Sequence, residues 1–259
     1  TDRGDASGTC YFDATANRYR NDLVELALGH DLDLPRVAAP SEVIGHTPSG
    51  VAFAPGIGDD LAGGFGLGVT AGAAVISVGT SGTACTKSHQ QTHEPTGTVA
   101  GFADATGEFL PLVCTLNGAR NLVATAELLG VTLDELSQLA LSAEPGSQGV
   151  TFVPYLEGER TPPLPDARGQ LVGLTLANMT PANIARATIE GVLWSLAYGV
   201  EVLREQTGQI SSITLTGGAS QSEAVRRIAT AVFGLPVVVT DTFESVAVGA
   251  ARQAAWALT

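Results

Sequence analysis

Two adjacent aspartates, Asp59 and Asp60, follow Gly56 and Gly58 directly after a short predicted strand over residues 51–54. A carboxylate at a strand-to-helix turn lies beside the N–H groups of a helix start, which hold it in place and keep it ionised. Such a group can accept a proton from a substrate hydroxyl. The commoner role of an aspartate there is to cap the helix. Both cannot be the cap, so a catalytic role stays open for one of them.

The same glycines also suggest a dinucleotide-binding turn, in which three glycines follow a strand and an acid ends the next strand. Leu61 stands where the third glycine is needed. The next predicted strand, over residues 73–78, ends in Val78-Gly79-Thr80 without an acid. These two departures argue against a dinucleotide cofactor.

A second candidate stretch places Thr80 and Ser81 between Gly79 and Gly82, in a turn between two predicted strands. Backbone N–H groups and hydroxyls that converge on one point can bind a phosphate without a cationic side chain. An ordinary hairpin turn also favours glycine and serine, so both interpretations stay open. The stretch is neither a Walker loop nor a nucleophile elbow, because the residues that define those motifs are missing.

A third stretch runs from a predicted strand over residues 212–216 into Gly217, Gly218 and Ala219, and then into a helix that includes Ser222. The two glycines allow a flat or phosphorylated ligand to approach the backbone, with a helix start behind it. A simple strand-to-helix turn explains the same residues equally well.

Two other groups of charged residues favour structure over chemistry. Glu157, Glu159 and Arg160 lie in a proline-rich loop, which predicts a salt-bridge corner together with Asp166 and Arg168. His89 and His93 are four residues apart, but no cluster of acids lies beside them, so no metal site is predicted.

Composition narrows the possible functions. The 259 residues include 13 Lys and Arg against 26 Asp and Glu, a net charge of −13, which argues against nucleic acids and anionic membranes as partners. Apolar residues make up 44%, and no apolar run reaches the length of a membrane span. The odd number of cysteines and the lack of a signal peptide favour a reducing, cytoplasmic location, with the cysteines expected as small buried residues.

Strand and helix patterns alternate along the chain, which predicts an α/β protein. The first nine residues read as a loop, and the part before residue 70 is expected to have no sheet of its own. The predicted strands cover residues 10–12, 51–54, 73–78, 83–86, 150–153, 212–216 and 236–239. The predicted helices cover residues 20–28, 60–68, 117–129, 133–141, 181–207, 220–233 and 243–258. We place a domain boundary near residue 70, with the first part as the tail of a larger domain.

Four motifs in this order resemble the FGGY carbohydrate kinases, a branch of the actin-like ATPase superfamily. The resemblance covers essentially the whole chain, and it is carried by residues 77–82 as a second phosphate loop, 169–190 as the C-terminal signature, 216–222 with 235–237 as the adenosine-binding segment, and 244–251 as the closing helix. Residues 4–13 and the pair Gly58-Asp59 are most similar to the xylulokinase branch.

This resemblance implies an actin-like ATPase, ribonuclease H-like domain over residues 71–259, with a mixed sheet flanked by helices. Residues 1–70 would be a remnant of the N-terminal, sugar-binding domain. The implied activity is ATP-dependent phosphorylation of a ketopentose, D-xylulose at O5. Alternatives are a kinase for another polyol or ketose, such as glycerol or ribulose, and a non-catalytic ATP-binding fragment. Because most of the family's N-terminal domain is missing from this chain, the chain alone is expected to be inactive or weak.

The resemblance also assigns roles to residues. Asp59 would be the general base, and Asp60, where family members often have Asn, would contact the sugar, which leaves the exact sugar open. The ATP-binding residues would be Gly79, Thr80, Ser81, Gly118, Gly217, Gly218, Ala219 and Ser222. Mg²⁺ is expected to accompany ATP, with no metal site formed by the protein itself. The expected partners are small-molecule sugar and nucleotide, with a homodimer as the expected assembly.

Overall fold

The computed structural model describes residues 1–240 and 244–259, and it has the predicted α/β architecture. The helices are α1 (Arg3–Gly8), α2 (Asn21–Leu28), α3 (Asp59–Leu67), α4 (Ala119–Leu129), α5 (Leu133–Ser142), α6 (Pro181–Thr207), α7 (Glu223–Phe233) and α8 (Ser245–Trp256). The strands are β1 (Phe12–Asp13), β2 (Arg18–Tyr19), β3 (Gly45–His46), β4 (Ala52–Phe53), β5 (Ala73–Val78), β6 (Gly82–Thr86), β7 (Ala100–Ala103), β8 (Phe109–Thr115), β9 (Thr151–Val153), β10 (Gln170–Val172), β11 (Ser212–Thr216) and β12 (Val237–Val239).

The chain forms two compact units that are not continuous in sequence. The first unit consists of Thr1–Ala71, Thr86–Leu112 and Thr242–Thr259, and the second of Gly72–Cys85 and Val113–Asp241. The chain therefore passes between the units after Ala71, inside β6, inside β8 and before α8. The predicted division into family domains at residue 70 stays a prediction.

The main sheet is mixed, as predicted. Its strand order is β12-β11-β5-β6-β8-β7. β11 runs parallel to both β12 and β5, whereas β7 pairs with β8 in antiparallel orientation. Parallel neighbours need crossover connections, and α6 lies in the connection that leads to β11.

The second unit is built around α6, which packs against α4, α5, α7 and β9. This helix begins where the sequence predicts it, because the Thr180 side chain accepts a hydrogen bond from the Asn183 N–H and Pro181 occupies the first turn. Leu193, Leu196 and Leu203 are each at most 1% exposed, so this helix supplies much of the core.

The first unit is organised by α3 and α8, which pack against each other. The approach is close enough that a Cβ added to Gly66 would lie 2.0 Å from the Ser245 carbonyl oxygen. A Cβ added to Gly249 would lie 1.9 Å from the Ala62 carbonyl oxygen. Glycine is therefore required at both positions for the two backbones to come this near.

Several local expectations about the first unit are wrong. The opening residues form α1 rather than a loop, because the Asp2 side chain accepts a hydrogen bond from the Asp5 N–H and caps the helix. Two antiparallel ribbons, β1-β2 and β3-β4, lie in the part that was expected to lack sheet structure. Cys10 is exposed, although burial was expected for all three cysteines.

The closing helix is observed as α8, and the first residue of its predicted range, Phe243, lies outside the described residues. Within residues 1–240 and 244–259, no helix has the length and apolar character that crossing a membrane requires.

Candidate functional site

The second unit contains a cavity of about 590 Å³ at the carboxyl end of β5. We call it the glycine-lined cavity, and its lining residues are Val78, Gly79, Thr80, Ala119, Leu122, Leu133, Asp134, Leu136, Ser137, Ile189, Gly218, Ala219, Gln221 and Ser222. Ligands commonly bind at the carboxyl ends of strands in α/β proteins. The cavity therefore lies where the fold class leads us to expect a binding site.

Five of the eight residues predicted to bind ATP line this cavity directly. They are Gly79, Thr80, Gly218, Ala219 and Ser222. The two stretches that carry them are about 140 residues apart in sequence, and the sheet brings them together because β5 and β11 are parallel neighbours. The two glycine turns thus follow adjacent strands at the same edge.

The remaining three predicted residues, Ser81, Gly118 and Gly217, are not among the lining residues, and Ser81 is exposed. A Cβ added to Gly118, which precedes α4, would lie 2.6 Å from the Gly79 carbonyl oxygen and 2.6 Å from that of Ser81. Gly217 has a positive φ of 85°, and a Cβ there would lie 2.7 Å from the Val78 nitrogen. Glycine at 118 and 217 therefore permits the backbone contacts that shape the cavity.

The walls of the cavity differ in chemistry from one part to another. Leu122, Leu136 and Ile189 are buried and apolar, whereas Thr80 is an exposed hydroxyl residue beside Gly79. The starts of α4 and α7 also lie at the cavity, and a helix start presents N–H groups to an anion. A ligand with a flat apolar part and a phosphorylated part fits this combination.

The start of α7 is held by a pair of serines. The Ser222 side chain caps the helix by accepting from the Val225 N–H. Its hydroxyl also donates to the Ser137 Oγ at 3.1 Å, and that oxygen accepts from the Ala224 N–H. Ser137 is in α5, so α5 positions the Gly217–Ser222 turn as well as lining the cavity.

Sequence reasoning missed the α5 contribution, which consists of Leu133, Asp134, Leu136 and Ser137. These residues are part of an ordinary amphipathic helix, and no local motif marks them as ligand contacts. Only the packing of α5 against α6 and α7 places them at the cavity.

Asp59 and Asp60 form the first turn of α3 in the first unit. The N-cap residue is Gly58, so neither aspartate serves as the cap. The Asp59 carboxylate accepts a hydrogen bond from the Asp60 N–H at 2.9 Å, and both residues are exposed. The alternative in which one of them only caps the helix is therefore wrong.

A third carboxylate lies at the same place. An atom added as Cβ on Gly58 would be 2.9 Å from Asp5 Oδ1, which brings α1 to the start of α3. Partial desolvation and then the negative charge of Asp59 raise the pKa of Asp60. Desolvation, followed by the charges of Asp2 and Asp59, raises the pKa of Asp5. This surface therefore carries a concentrated negative potential around Asp59.

The predicted salt-bridge corner is only partly correct. Glu157 pairs with Arg120, but Arg168 donates to the backbone carbonyls of Asp166 and Ala167 instead of pairing with an acid. Glu159 is 1% exposed, and its carboxylate accepts hydrogen bonds from N–H groups. Among the ion pairs of the described residues, none involves Glu159.

His89 contacts Glu108, and Lys87 pairs with the same carboxylate at 2.6 Å. In the part of the chain that the structure describes, no three His, Cys, Asp or Glu residues are grouped so that they could hold a metal ion.

Comparison of the sequence with known proteins finds the same family that the motifs resemble. The model of the C-terminal domain of the FGGY family of carbohydrate kinases matches residues 74–258. The xylulose kinase of Streptomyces rubiginosus is 40% identical over 272 residues, and that of Streptomyces coelicolor is 39% identical over 269 residues. The alignments cover 100% of this chain and 54% of each relative, so the chain spans about half the length of these relatives.

A solved structure gives the same result for the fold. The crystal structure of xylulose kinase from Bifidobacterium adolescentis has a TM-score of 0.89 and 44% sequence identity, and the match covers 100% of this chain and 55% of that one. The predicted actin-like ATPase fold, with its mixed sheet and flanking helices, is confirmed.

Proposed function

The chain belongs to the FGGY family of carbohydrate kinases, and on this basis we propose that it carries the nucleotide-binding and base-supplying part of an ATP-dependent xylulose kinase. The reaction transfers the γ-phosphoryl group of ATP to O5 of D-xylulose and yields xylulose 5-phosphate and ADP. Its two Streptomyces relatives bear the name xylulose kinase.

The observation that carries this proposal is that two glycine turns, which are far apart in sequence, line the same cavity. Gly79 and Thr80 from one turn, and Gly218 and Ala219 from the other, line the same space of about 590 Å³. We assign the phosphates to these turns and to the two helix starts, where N–H groups favour anions. The adenine would then contact the buried leucine and isoleucine side chains.

Asp59 acts as the general base in this proposal. It takes the proton from the 5-hydroxyl as the oxygen attacks the γ-phosphorus, and the bond from that phosphorus to the ADP oxygen breaks. The fixed N–H groups around Gly79 and Gly218 stabilise the charge on the phosphoryl oxygens, so most of the catalysis is positioning and electrostatics.

Mg²⁺ fits this scheme as a companion of the nucleotide, as phosphoryl transfer generally requires. It would be held mainly by phosphate oxygens and water, as is usual for Mg²⁺ in kinases. When bound, it neutralises charge that develops on the phosphates during transfer.

The test uses a chimera in which this chain follows the part of the Streptomyces rubiginosus xylulose kinase that it does not match. Replacement of the base, Asp59→Ala, should lower kcat at least about 100-fold, the usual contribution of a general base. ATP affinity should stay unchanged, because Asp59 is not among the residues of the glycine-lined cavity. Both are measured by coupled ADP release and by calorimetry.

Asp33→Ala is the matched control, since Asp33 is an exposed aspartate of the same unit, and it should leave kcat as it was. If the Asp59→Ala chimera keeps its activity within about tenfold, Asp59 is not the base. That outcome would favour the alternative in which this chain is a non-catalytic ATP-binding module.

A kinase for glycerol or ribulose remains the alternative within the same chemistry. Asp60 adds a carboxylate where family members often have an amide, and its position next to Asp59 allows it to affect which hydroxyls are bound. Rates on xylulose, ribulose and glycerol in the same assay separate these possibilities, and equal rates on glycerol and xylulose would contradict the narrower proposal.

A reaction that consumes ATP favours the cytoplasm as the location. A homodimer stays a prediction, and the molar mass of the chain in solution would test it.

A further inference from the structure

Glu159 is the most completely buried acid in the second unit for which no cationic partner is seen among the described residues. It is 1% exposed. Burying a carboxylate is costly unless hydrogen bonds compensate it. Four donors do so here, three backbone N–H groups and one side-chain amide, and they come from the residues just after β8 and from the loop of Glu159 itself.

One carboxylate oxygen accepts from three backbone N–H groups. Leu116 N lies at 2.6 Å, Arg160 N at 2.7 Å and Thr161 N at 3.4 Å from Oε1. The other oxygen, Oε2, accepts from Asn117 Nδ2 at 2.9 Å. The same Asn117 amide donates to the Gly158 carbonyl at 2.7 Å. Glu159 thus ties the turn at 116–117 to its own loop.

The turn at residues 116–117 leads into contacts that hold the proposed phosphate loop, Gly79–Gly82. Gly118 follows directly, and a Cβ there would be 2.6 Å from the carbonyl oxygens of Gly79 and Ser81. The Ala119 N–H donates to the Gly79 carbonyl at 2.7 Å. The Thr115 hydroxyl accepts from the Gly82 N–H at 3.1 Å, so the loop is fixed at both ends.

From these contacts we propose that Glu159 is a positioning residue that fixes the Gly79–Gly82 loop in the shape that binds the phosphates of ATP. It acts through Leu116, Asn117 and Gly118 and does not itself line the glycine-lined cavity. This inference rests on the proposed kinase function for its consequence, but the clamp on the loop can be measured without any nucleotide.

The decisive variant is Glu159→Gln, which keeps the length of the side chain. Its single oxygen can still accept from Leu116 and Arg160, but its amide then faces the Asn117 amide, donor against donor. If Asn117 turns over to accept, it loses its bond to Gly158. One bond of the clamp is lost in either case, together with the charge that strengthens the others.

Two measurements follow on the 259-residue chain. Hydrogen exchange of the Ala119 and Gly82 amides should become at least about tenfold faster in Glu159→Gln, because the loop opens more often. Binding of ATP with Mg²⁺ should weaken at least about tenfold, whereas binding of adenosine should stay the same, since only the phosphates meet this loop. A general loss of stability would not separate the two ligands.

Glu190→Gln is the matched control. Glu190 is also a mostly buried glutamate of the second unit, and its carboxylate accepts from Gly146 N at 3.1 Å and from Arg186 Nε at 2.7 Å. It holds a different loop, so this variant should leave both the exchange of Ala119 and the ATP-to-adenosine ratio unchanged.

If Glu159→Gln does not fold, Asn117→Ala tests the same clamp. It removes the bond to Oε2 but leaves the three backbone donors, and Asn117 Oδ1 has no partner among the described residues to lose. Unchanged exchange at Ala119 in the folded variant, or equal weakening of ATP and adenosine, overturns the inference. If the unaltered chain binds neither ligand, the proposed function fails, while the exchange data alone still decide whether Glu159 holds the loop.

Discussion

The negative charge of Asp59 affects the pKa of the neighbouring carboxyl groups. Desolvation and the charge of Asp59 raise the pKa of Asp60 above its usual value. The folded protein then binds this proton more tightly than the unfolded chain does. The cost of ionising Asp60 is therefore absent at low pH and grows as the pH rises through the raised pKa of the folded state.

Asp60→Asn should consequently raise the melting temperature at pH 7, and the gain should shrink as the pH falls toward 4. We expect a gain of at most about 2 °C, because the side chain is exposed and solvent screens the interaction. Thermal melting over this pH range measures it.

Asp22→Asn is the control for this prediction. Asp22 is also in the first turn of a helix, but its hydrogen bond with Arg20 lowers its pKa, which is the opposite sign. This variant should not raise the melting temperature at pH 7. A gain for both variants would point to a general relief of the net charge of −13 instead of a local effect at Asp60.

At the residue scale, the sequence predicts those parts of the site that depend on local backbone needs. Gly217 needs its positive φ of 85° and is visible as a glycine in a short motif, whereas Gly118, which needs the space that a Cβ would occupy, was expected only from the family resemblance. Ser137 and Glu159 could not be found in this way. Their roles depend on partners about 85 and 43 residues away in sequence, which only tertiary contacts bring near.

At the element scale, we test the packing of α3 against α8, because α3 carries Asp59 and approaches α8 closely through glycines. Gly66→Ala would place a methyl group 2.0 Å from the Ser245 carbonyl oxygen, so the helices must separate. Forced overpacking of this kind costs about 1–3 kcal/mol. We therefore expect Gly66→Ala to lower the free energy of unfolding by that amount, measured by denaturant titration.

Gly63→Ala in the same helix should have the opposite effect. A Cβ there would meet Ser245 Oγ at 3.7 Å and Val246 Cγ2 at 3.8 Å, which are ordinary contacts. Alanine is a better helix former than glycine by up to about 1 kcal/mol. If both variants are equally destabilised, the close approach of α3 and α8 is not the cause.

Some elements follow directly from the sequence, and others do not. The helix α6 is predicted to the residue, because Thr180 and Pro181 mark its start and an apolar pattern continues through it. The strand β8 is missed, although it lies between β6 and β7 in the sheet. It contains Pro111, opposite Gly101, and a proline normally argues against a strand with neighbours on both sides.

At the scale of the whole molecule, the two compact units could not be predicted from a linear division. One boundary between the units follows Ala71, but two others fall inside β6 and β8, between residues that continue the same strand. Changes in composition along a chain mark linkers, and neither of these positions is a linker. The family, in contrast, is recognisable from the sequence because its motifs are short and occur in a fixed order.

The division of contacts over the whole molecule determines how much of the reaction this chain can perform by itself. All the proposed nucleotide contacts lie in the second unit, so the 259-residue chain should bind ATP. The chain spans 54% of its Streptomyces relatives, and we propose that sugar contacts are supplied by the part they have in addition. Without those contacts the 5-hydroxyl is not held in line with the phosphorus, and positioning is the main source of catalysis in phosphoryl transfer.

We therefore expect the chain alone to phosphorylate xylulose far more slowly than about one per second, the lower end of the usual kinase range. The chimera with the additional part of the relative should reach that range. Coupled ADP release with and without xylulose measures both. Fast turnover by the chain alone would show that its own residues suffice to bind the sugar, whereas ATP binding without turnover in the chimera would point to a nucleotide-binding role only.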